Sequence, residues 1–170
     1  MRKIAIASLF TAPLIWAGAV FAQQEAGTVV KAEHGAWKVV CAADNSKACL
    51  IGQTGLNEQK EPVLQVRIRK TPGAKGPQDQ PIDALVELIA PIGVFLPAGI
   101  AISIDGREIG RGAYQVCNPE ACLVAEPVQN DFINQLKKGA NAVMTLTAQN
   151  GSRAQISISL SGFTKAYNSL

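Results

Sequence analysis

Near the C-terminus, Ala142-Val-Met-Thr-Leu-Thr-Ala-Gln149 and Arg153-Ala-Gln-Ile-Ser-Ile-Ser-Leu160 alternate apolar and polar residues on either side of Asn150-Gly151. A period of two puts every second side chain on one face of an extended strand, a pattern no helix can present as a single stripe. Asn-Gly is favoured in two-residue hairpin turns because both central positions take positive φ. The segment therefore predicts an antiparallel hairpin with Ile156, Ile158 and Leu160 inward and Ser157 and Ser159 outward. Asn150-Gly151-Ser152 also fits a glycosylation acceptor, but the turn accounts for it without modification.

The same period recurs in Val63-Leu-Gln-Val-Arg-Ile-Arg69 and in Ile100-Ala-Ile-Ser-Ile104, the latter closed by the turn former Asp105-Gly106. Leu85-Val-Glu-Leu-Ile89 and Val94-Phe-Leu96 are short apolar runs separated by Pro91 and Gly93, residues that oppose a continuous helix. One helix is expected over Asp131 to Lys138: Asn130 or Asp131 caps it, Phe132, Ile133 and Leu136 form its apolar stripe, and Lys137-Lys138-Gly139 closes it. Thr71 to Pro81, rich in Pro and Gly, reads as a long exposed loop, Gly110-Arg111-Gly112 as a turn between strands, and the residues before Trp37 as a loose lead. Roughly nine or ten strands with one or two short helices give an all-β, single-domain antiparallel sandwich or barrel.

The compartment is written at the start of the chain. Met1-Arg2-Lys3 is followed by Ile4 to Val20 without a charge, then by Val20-Phe21-Ala22 and the polar Gln23-Gln24-Glu25. That is the three-part pattern of a secretory signal, with cleavage expected after Ala22 and Ala19 as the second choice. The apolar run is shorter than the ~20 residues of a membrane-spanning helix, so no transmembrane segment is expected after cleavage. No Cys sits just after the expected cleavage point, which opposes a lipid anchor. Residues 1–22 are thus read as signal and 23–170 as one domain.

Export gives the cysteines their meaning. Cys41 with Cys49 and Cys117 with Cys122 form two tight pairs, each across a polar loop between strand-like runs. An even count in an exported chain reads as a disulfide framework. Four Cys permit three connectivities, and opposed strand residues lie close enough for the local one. Loops this short contribute about 2–3 kcal/mol each in the chain-entropy picture. A zinc site wants closer spacing in the first pair, and a redox catalyst wants Cys-x-x-Cys. Thiol exchange nevertheless remains a reading to be tested.

Removing Arg2 and Lys3 takes sixteen basic residues to fourteen against thirteen acidic ones, +1 in place of +3. A nearly neutral chain opposes a nucleic-acid binder, and the few scattered aromatics oppose a stacking platform. His34 is the single histidine, expected to be exposed and leading into the first strand; it cannot build a multi-His metal site. No G-x-S-x-G elbow or phosphate-cradling loop is present, and Glu87, Asp105, Glu120 and Glu126 show no reason to pair. No catalytic set, cofactor or metal site is expected, and the chain reads as non-enzymatic. Arg67, Arg69 and Lys70, with Lys75, form a local basic cluster. It is either a contact patch for an acidic partner or a solvated face protecting an edge strand.

Taken in order, several segments resemble the invasion-associated locus B family of bacterial exported proteins. They are Trp37-Lys-Val-Val-Cys41 with Cys49, Pro91-Ile-Gly-Val-Phe-Leu96, and Gly99-Ile-Ala-Ile-Ser-Ile-Asp105. Further on come Cys117 with Ala121-Cys122-Leu-Val-Ala125, Leu136-Lys-Lys-Gly139, and Ser159-Leu-Ser-Gly-Phe163 with Ala166. Ala121 departs from the Gly expected before the second Cys of that pair. The resemblance implies a protein of the alphaproteobacterial periplasm or envelope, outer-membrane associated or secreted, with a role in host-cell invasion and no catalytic residues. Its partner would be an envelope or host-cell component. The competing expectation is a periplasmic binder of small molecules or glycans, with hydrolysis as an extension.

Overall fold

A computed structural model describes residues 27–44 and 47–170; the expected signal segment lies outside the described residues. Eleven strands make one antiparallel sheet: β1 (Thr28–His34), β2 (Trp37–Ala42), β3 (Cys49–Leu56), β4 (Pro62–Lys75), β5 (Pro81–Pro91), β6 (Ile100–Ile104), β7 (Arg107–Gly112), β8 (Tyr114–Cys117), β9 (Ala121–Val128), β10 (Asn141–Thr147) and β11 (Arg153–Ser159). Two helices, α1 (Asn130–Lys138) and α2 (Phe163–Asn168), complete it, with a 3-10 turn at Leu96–Ala98. The strand order is β7-β6-β10-β11-β3-β4-β5-β9-β8, with β2 pairing β3 on one edge and β1 pairing β2.

The sheet curls into a nearly closed barrel. At the remaining seam Gly112 of β7 lies so close to β9 that a Cβ there would stand 2.5 Å from Val124 Cγ1. Alternation decides what fills the inside. Leu64, Val66 and Ile68 of β4 meet Val86 and Leu88 of β5, Ile100 and Ile102 of β6, Met144 and Leu146 of β10, and Ile156 and Ile158 of β11, all buried. Helix α1 covers this core with Ile133 and Leu136, and α2 adds Phe163 and Tyr167. Each such side chain stabilises the fold by roughly 1.5–3 kcal/mol when fully buried. Phe163 meets the buried Trp37 edge to face at 5.1 Å and stacks on Tyr167 at 5.8 Å.

Several expectations need correction. A strand, β1, precedes Trp37 where a loose lead was expected; it pairs with β2 along Thr28↔Ala42 to His34↔Trp37. Residues 71–81 form no long loop. β4 continues to Lys75 and β5 begins at Pro81, pairing Ala74↔Ile82 and Lys75↔Pro81 beyond a register shift after Lys70. The shift absorbs Pro72, which has no N–H to pair, and Thr71 donates its hydroxyl to the Ile82 carbonyl at 2.8 Å. Gly110-Arg111-Gly112 lies inside β7, not in a turn. Helix α1 starts after Gln129 without a side-chain cap from Asn130 or Asp131; instead the Asn130 N–H donates to Asp83 of β5 at 2.8 Å.

The C-terminal hairpin forms with Ile156, Ile158 and Leu160 buried as expected, in the register Ala142↔Ile158 and Met144↔Ile156. Its turn is longer than expected, however. Residues 148–152 make the loop, the Gly151 N–H donates to Ala148 O, and only Gly151 (φ 83°) is left-handed. This is the type I turn followed by a left-handed glycine that longer hairpin loops use. The two-residue turn with both positions at positive φ occurs instead at Asp105 (48°) and Gly106 (83°).

Candidate functional site

Both local disulfides are formed, Cys41–Cys49 and Cys117–Cys122, each between directly opposed strand residues with Cα atoms 4.0 Å apart. They are placed differently. Cys41 and Cys122 are buried, whereas Cys117 is exposed on the short β8.

The basic cluster does not stay together. Arg67 and Arg69 point outward from β4, but Lys70 lies on the opposite face, its Nζ 5.0 Å above the Tyr167 ring. Lys75 sits at the hairpin tip and pairs with Asp79 at 2.8 Å. Nor is β4 an edge strand: β3 and β5 flank it, so edge protection cannot explain its charges. Pairing and twist separate side chains that sequence distance placed side by side.

The four carboxylates serve backbone or open surface. Asp105 accepts from the Ala140 and Asn141 N–H groups at 3.0 and 2.9 Å, which hold its carboxyl below the ordinary value despite some opposing desolvation. Glu126 accepts from the Ala113 N–H at 3.1 Å, Glu87 faces outward on β5, and Glu120 is exposed in its disulfide loop. His34 is half-buried at the end of β1, not an exposed lead residue. Among the described residues no three His, Cys, Asp or Glu side chains converge, and no polar or charged residue is buried. The space between Trp37, Val66, Ile102, Phe132, Met144 and Ile158 measures about 10 Å³, too little for a ligand and at the limit for one water.

A second inner space, about 150 Å³, opens at the β7–β9 seam among Val86, Leu88, Ile102, Gly112 and Val124. Larger concavity lies on the outside of the sheet. A cleft of about 530 Å³ runs across β2, β3 and β4, with Lys38, Val40, Leu50, Gly52, Thr54, Gln65 and Arg67 among its lining residues. Its geometry follows from register: Lys38↔Gly52 and Gly52↔Arg67 set two cations on either side of a glycine floor. The Arg67 guanidinium donates to Gln65 Oε1 at 2.8 Å, and Lys38 lies 3.6 Å from Glu33. Arg67 alone of the predicted cluster lines this cleft. Lys38, Gly52 and Thr54 were missed. Their outward parity was readable, since Trp37 and Val39 point inward, but the three-strand pairing was not.

The cleft lies where the sheet branches. β3 pairs β2 through Cys49–Gly52 but reaches β11 only at Ser157↔Leu56. Between these contacts the Gln53 side chain takes the place of a ladder, donating to Ser159 O at 2.8 Å and accepting from Ser159 N–H at 3.0 Å. Trp37 Nε1 donates to the same carbonyl at 2.9 Å. Elsewhere on the surface, Ile92, Phe95 and Leu96 expose 58%, 47% and 50% of their area in the loop after β5.

Residues 37–170 match the family described as Invasion associated locus B (IalB) protein. The crystal structure of invasion associated protein b from Bartonella henselae is similar in fold, with a TM-score of 0.64 at 18% identity, covering 81% of this chain and 93% of that one. No curated protein matches the chain.

Proposed function

The chain belongs to the invasion associated locus B family, and on that premise we propose that it is a non-enzymatic envelope protein acting through its outer surface in host-cell invasion. Family membership and two disulfides support export from the reducing cytoplasm. The periplasm is the proposed compartment, with outer-membrane association or secretion as extensions. Among the described residues no helix is long and apolar enough to cross a membrane.

The observation that carries this reading is the contrast between the packed inside of the barrel and the cleft outside it. A barrel that works by enclosing its ligand needs interior space, and the inside here offers about 10 Å³ at the centre and about 150 Å³ at the seam, less than the roughly 300–1,000 Å³ of ligand pockets. Exposed apolar side chains at Ile92, Phe95 and Leu96 add to the surface capable of contact. The test is a deletion strain complemented with the wild-type chain, scored for uptake by host cells and for envelope integrity. Loss of invasion with an intact envelope supports the reading. Normal invasion and a normal envelope in the deletion strain overturn it.

A second reading, a periplasmic binder of a small molecule or glycan, is favoured by the same cleft, whose Lys38, Thr54, Gln65 and Arg67 converge on one concave face. Release of a tightly held metabolite from protein purified under native conditions would favour it over the first.

A further inference from the structure

We infer that the Lys38–Gly52–Arg67 row is a docking site for an extended acidic segment of a partner protein; this rests on the surface-acting reading above. A carboxylate of the partner sits over Gly52 between the two cations. An apolar side chain two residues away rests on Val40 and Leu50.

The first support is charge placement. Among the described residues, Lys38 and Arg67 are the only charged side chains lining the cleft. Neighbouring strands stand about 4.8 Å apart, so the two Cα atoms are roughly 10 Å apart, a span their long side chains close onto one anion. Acids bracket the row on its outer sides, since Glu33 pairs in register with Lys38 and Glu87 with Arg67. The Lys38–Glu33 contact is long and solvent-exposed, the kind of pair that contributes little and yields readily. The brackets admit one carboxylate at the centre and repel further acids at either side.

The second support is the glycine itself. Gly55, in the same strand, is required by the fold: a Cβ there would collide with Ile156 Cγ2 and Ile158 Cδ1 at 2.6 and 2.7 Å. Gly52 has no such reason. Its Cβ would meet Val66 O at 3.4 Å and Leu50 Cδ1 at 3.8 Å, ordinary contact distances, and its φ is not left-handed. A glycine inside a strand weakens it and marks a place where another backbone approaches closely. At Gly52 none of the described residues makes that approach beyond the strand neighbour Val66.

The third support is spacing. Val40 follows Lys38 by two residues on β2, and Leu50 precedes Gly52 by two on β3, so a half-buried apolar shelf lies about 6.8 Å from the cationic row. An extended peptide with an acidic residue and an apolar one two positions away carries the same interval. The lining has no aromatic ring on which a sugar would stack.

The test is fluorescence anisotropy with the disulfide-intact chain and labelled Ser/Gly peptides carrying Glu-x-Leu, Lys-x-Leu or Glu-x-Ser, with heparin as competitor. The Glu-x-Leu peptide is expected to bind best. Lys38→Gln with Arg67→Gln should weaken it roughly tenfold or more, equivalent to at least 1.4 kcal/mol. Gly52→Val, which keeps every charge but fills the floor, should weaken it similarly, with folding checked by thermal melting. Leu50→Ser on the half-buried shelf provides a second variant should Gly52→Val fold poorly, and should abolish the preference for Glu-x-Leu over Glu-x-Ser. Binding of all anions alike, indifferent to Gly52→Val and Leu50→Ser, would reduce the site to general electrostatics and overturn the inference. Tighter binding of heparin than of peptide would overturn it in favour of a glycan. Absence of any binding would overturn it too, while the invasion phenotype of the deletion strain would still decide the broader reading.

Discussion

Single side chains carry two of the clearest expectations. The Tyr114 hydroxyl is buried without a hydrogen-bond partner, and burial pushes its pKa up to about 12. A raised tyrosine pKa means the neutral phenol is favoured in the fold, so that contribution is present below pH 10 and lost as pH rises towards 12. Tyr114→Phe removes an unpaired polar atom at constant shape, so stability at neutral pH should hold or rise by up to about 1 kcal/mol. A clear fall in the denaturation midpoint would show that the hydroxyl is bonded. Asp105 works in the opposite sense. Its carboxylate, held low by the Ala140 and Asn141 N–H groups, stabilises the fold above the ordinary value of 3.8, and that contribution disappears as pH falls through the lowered folded value. Asp105→Asn should therefore flatten the loss of stability measured by thermal melting on acidification below about pH 5. An unchanged acid profile would sink this assignment.

At the scale of elements, the two disulfides should part company. The one closing the β8–β9 hairpin has Cys117 exposed on a short outer strand, while Cys41 is buried beside the Trp37 cluster. Mild reductant followed by alkylation and mass spectrometry should label Cys117 and Cys122 first. Labelling of Cys41 and Cys49 first would contradict the placement. This asymmetry also sharpens the thiol-exchange reading, for which the exposed Cys117 sulfur is more accessible than the half-buried Cys49. Neither Cys–Cys spacing nor the signal segment reveals which loop is covered, because coverage comes from elements distant in sequence.

Over the whole molecule, the weak point of the barrel is the branch at β3, bridged by Gln53. Substitution Gln53→Ala would leave the Ser159 N–H without its partner, while Trp37 Nε1 still serves the carbonyl. A loss of about 1–3 kcal/mol in chemical denaturation is expected, two hydrogen bonds at about 0.5–1.5 kcal/mol each. An unchanged midpoint would mean that packing of Ile156 and Ile158 against Gly55 holds the branch alone. The same branch opens the outer cleft, so Gln53→Ala should also disturb peptide binding without touching a residue of the cationic row.

The sequence by itself determined which residues face inward, because a period of two is a local property: Leu64, Val66, Ile68, Ile156 and Ile158 were readable and are buried. It also determined the local disulfide partners, through strand-like runs flanking short loops, and the C-terminal hairpin, through alternation on both sides of Asn150-Gly151, though not its turn type. The strands around Pro72 and before Trp37 escaped it, since bulges and long-range pairing rescue segments with poor local propensity. Only the tertiary structure chose barrel over sandwich and split the basic cluster, leaving Arg67 opposite Lys38 and sending Lys70 to Tyr167. Register between strands is a non-local quantity: it is fixed by how the core closes, and with it the pairing of two cations across Gly52.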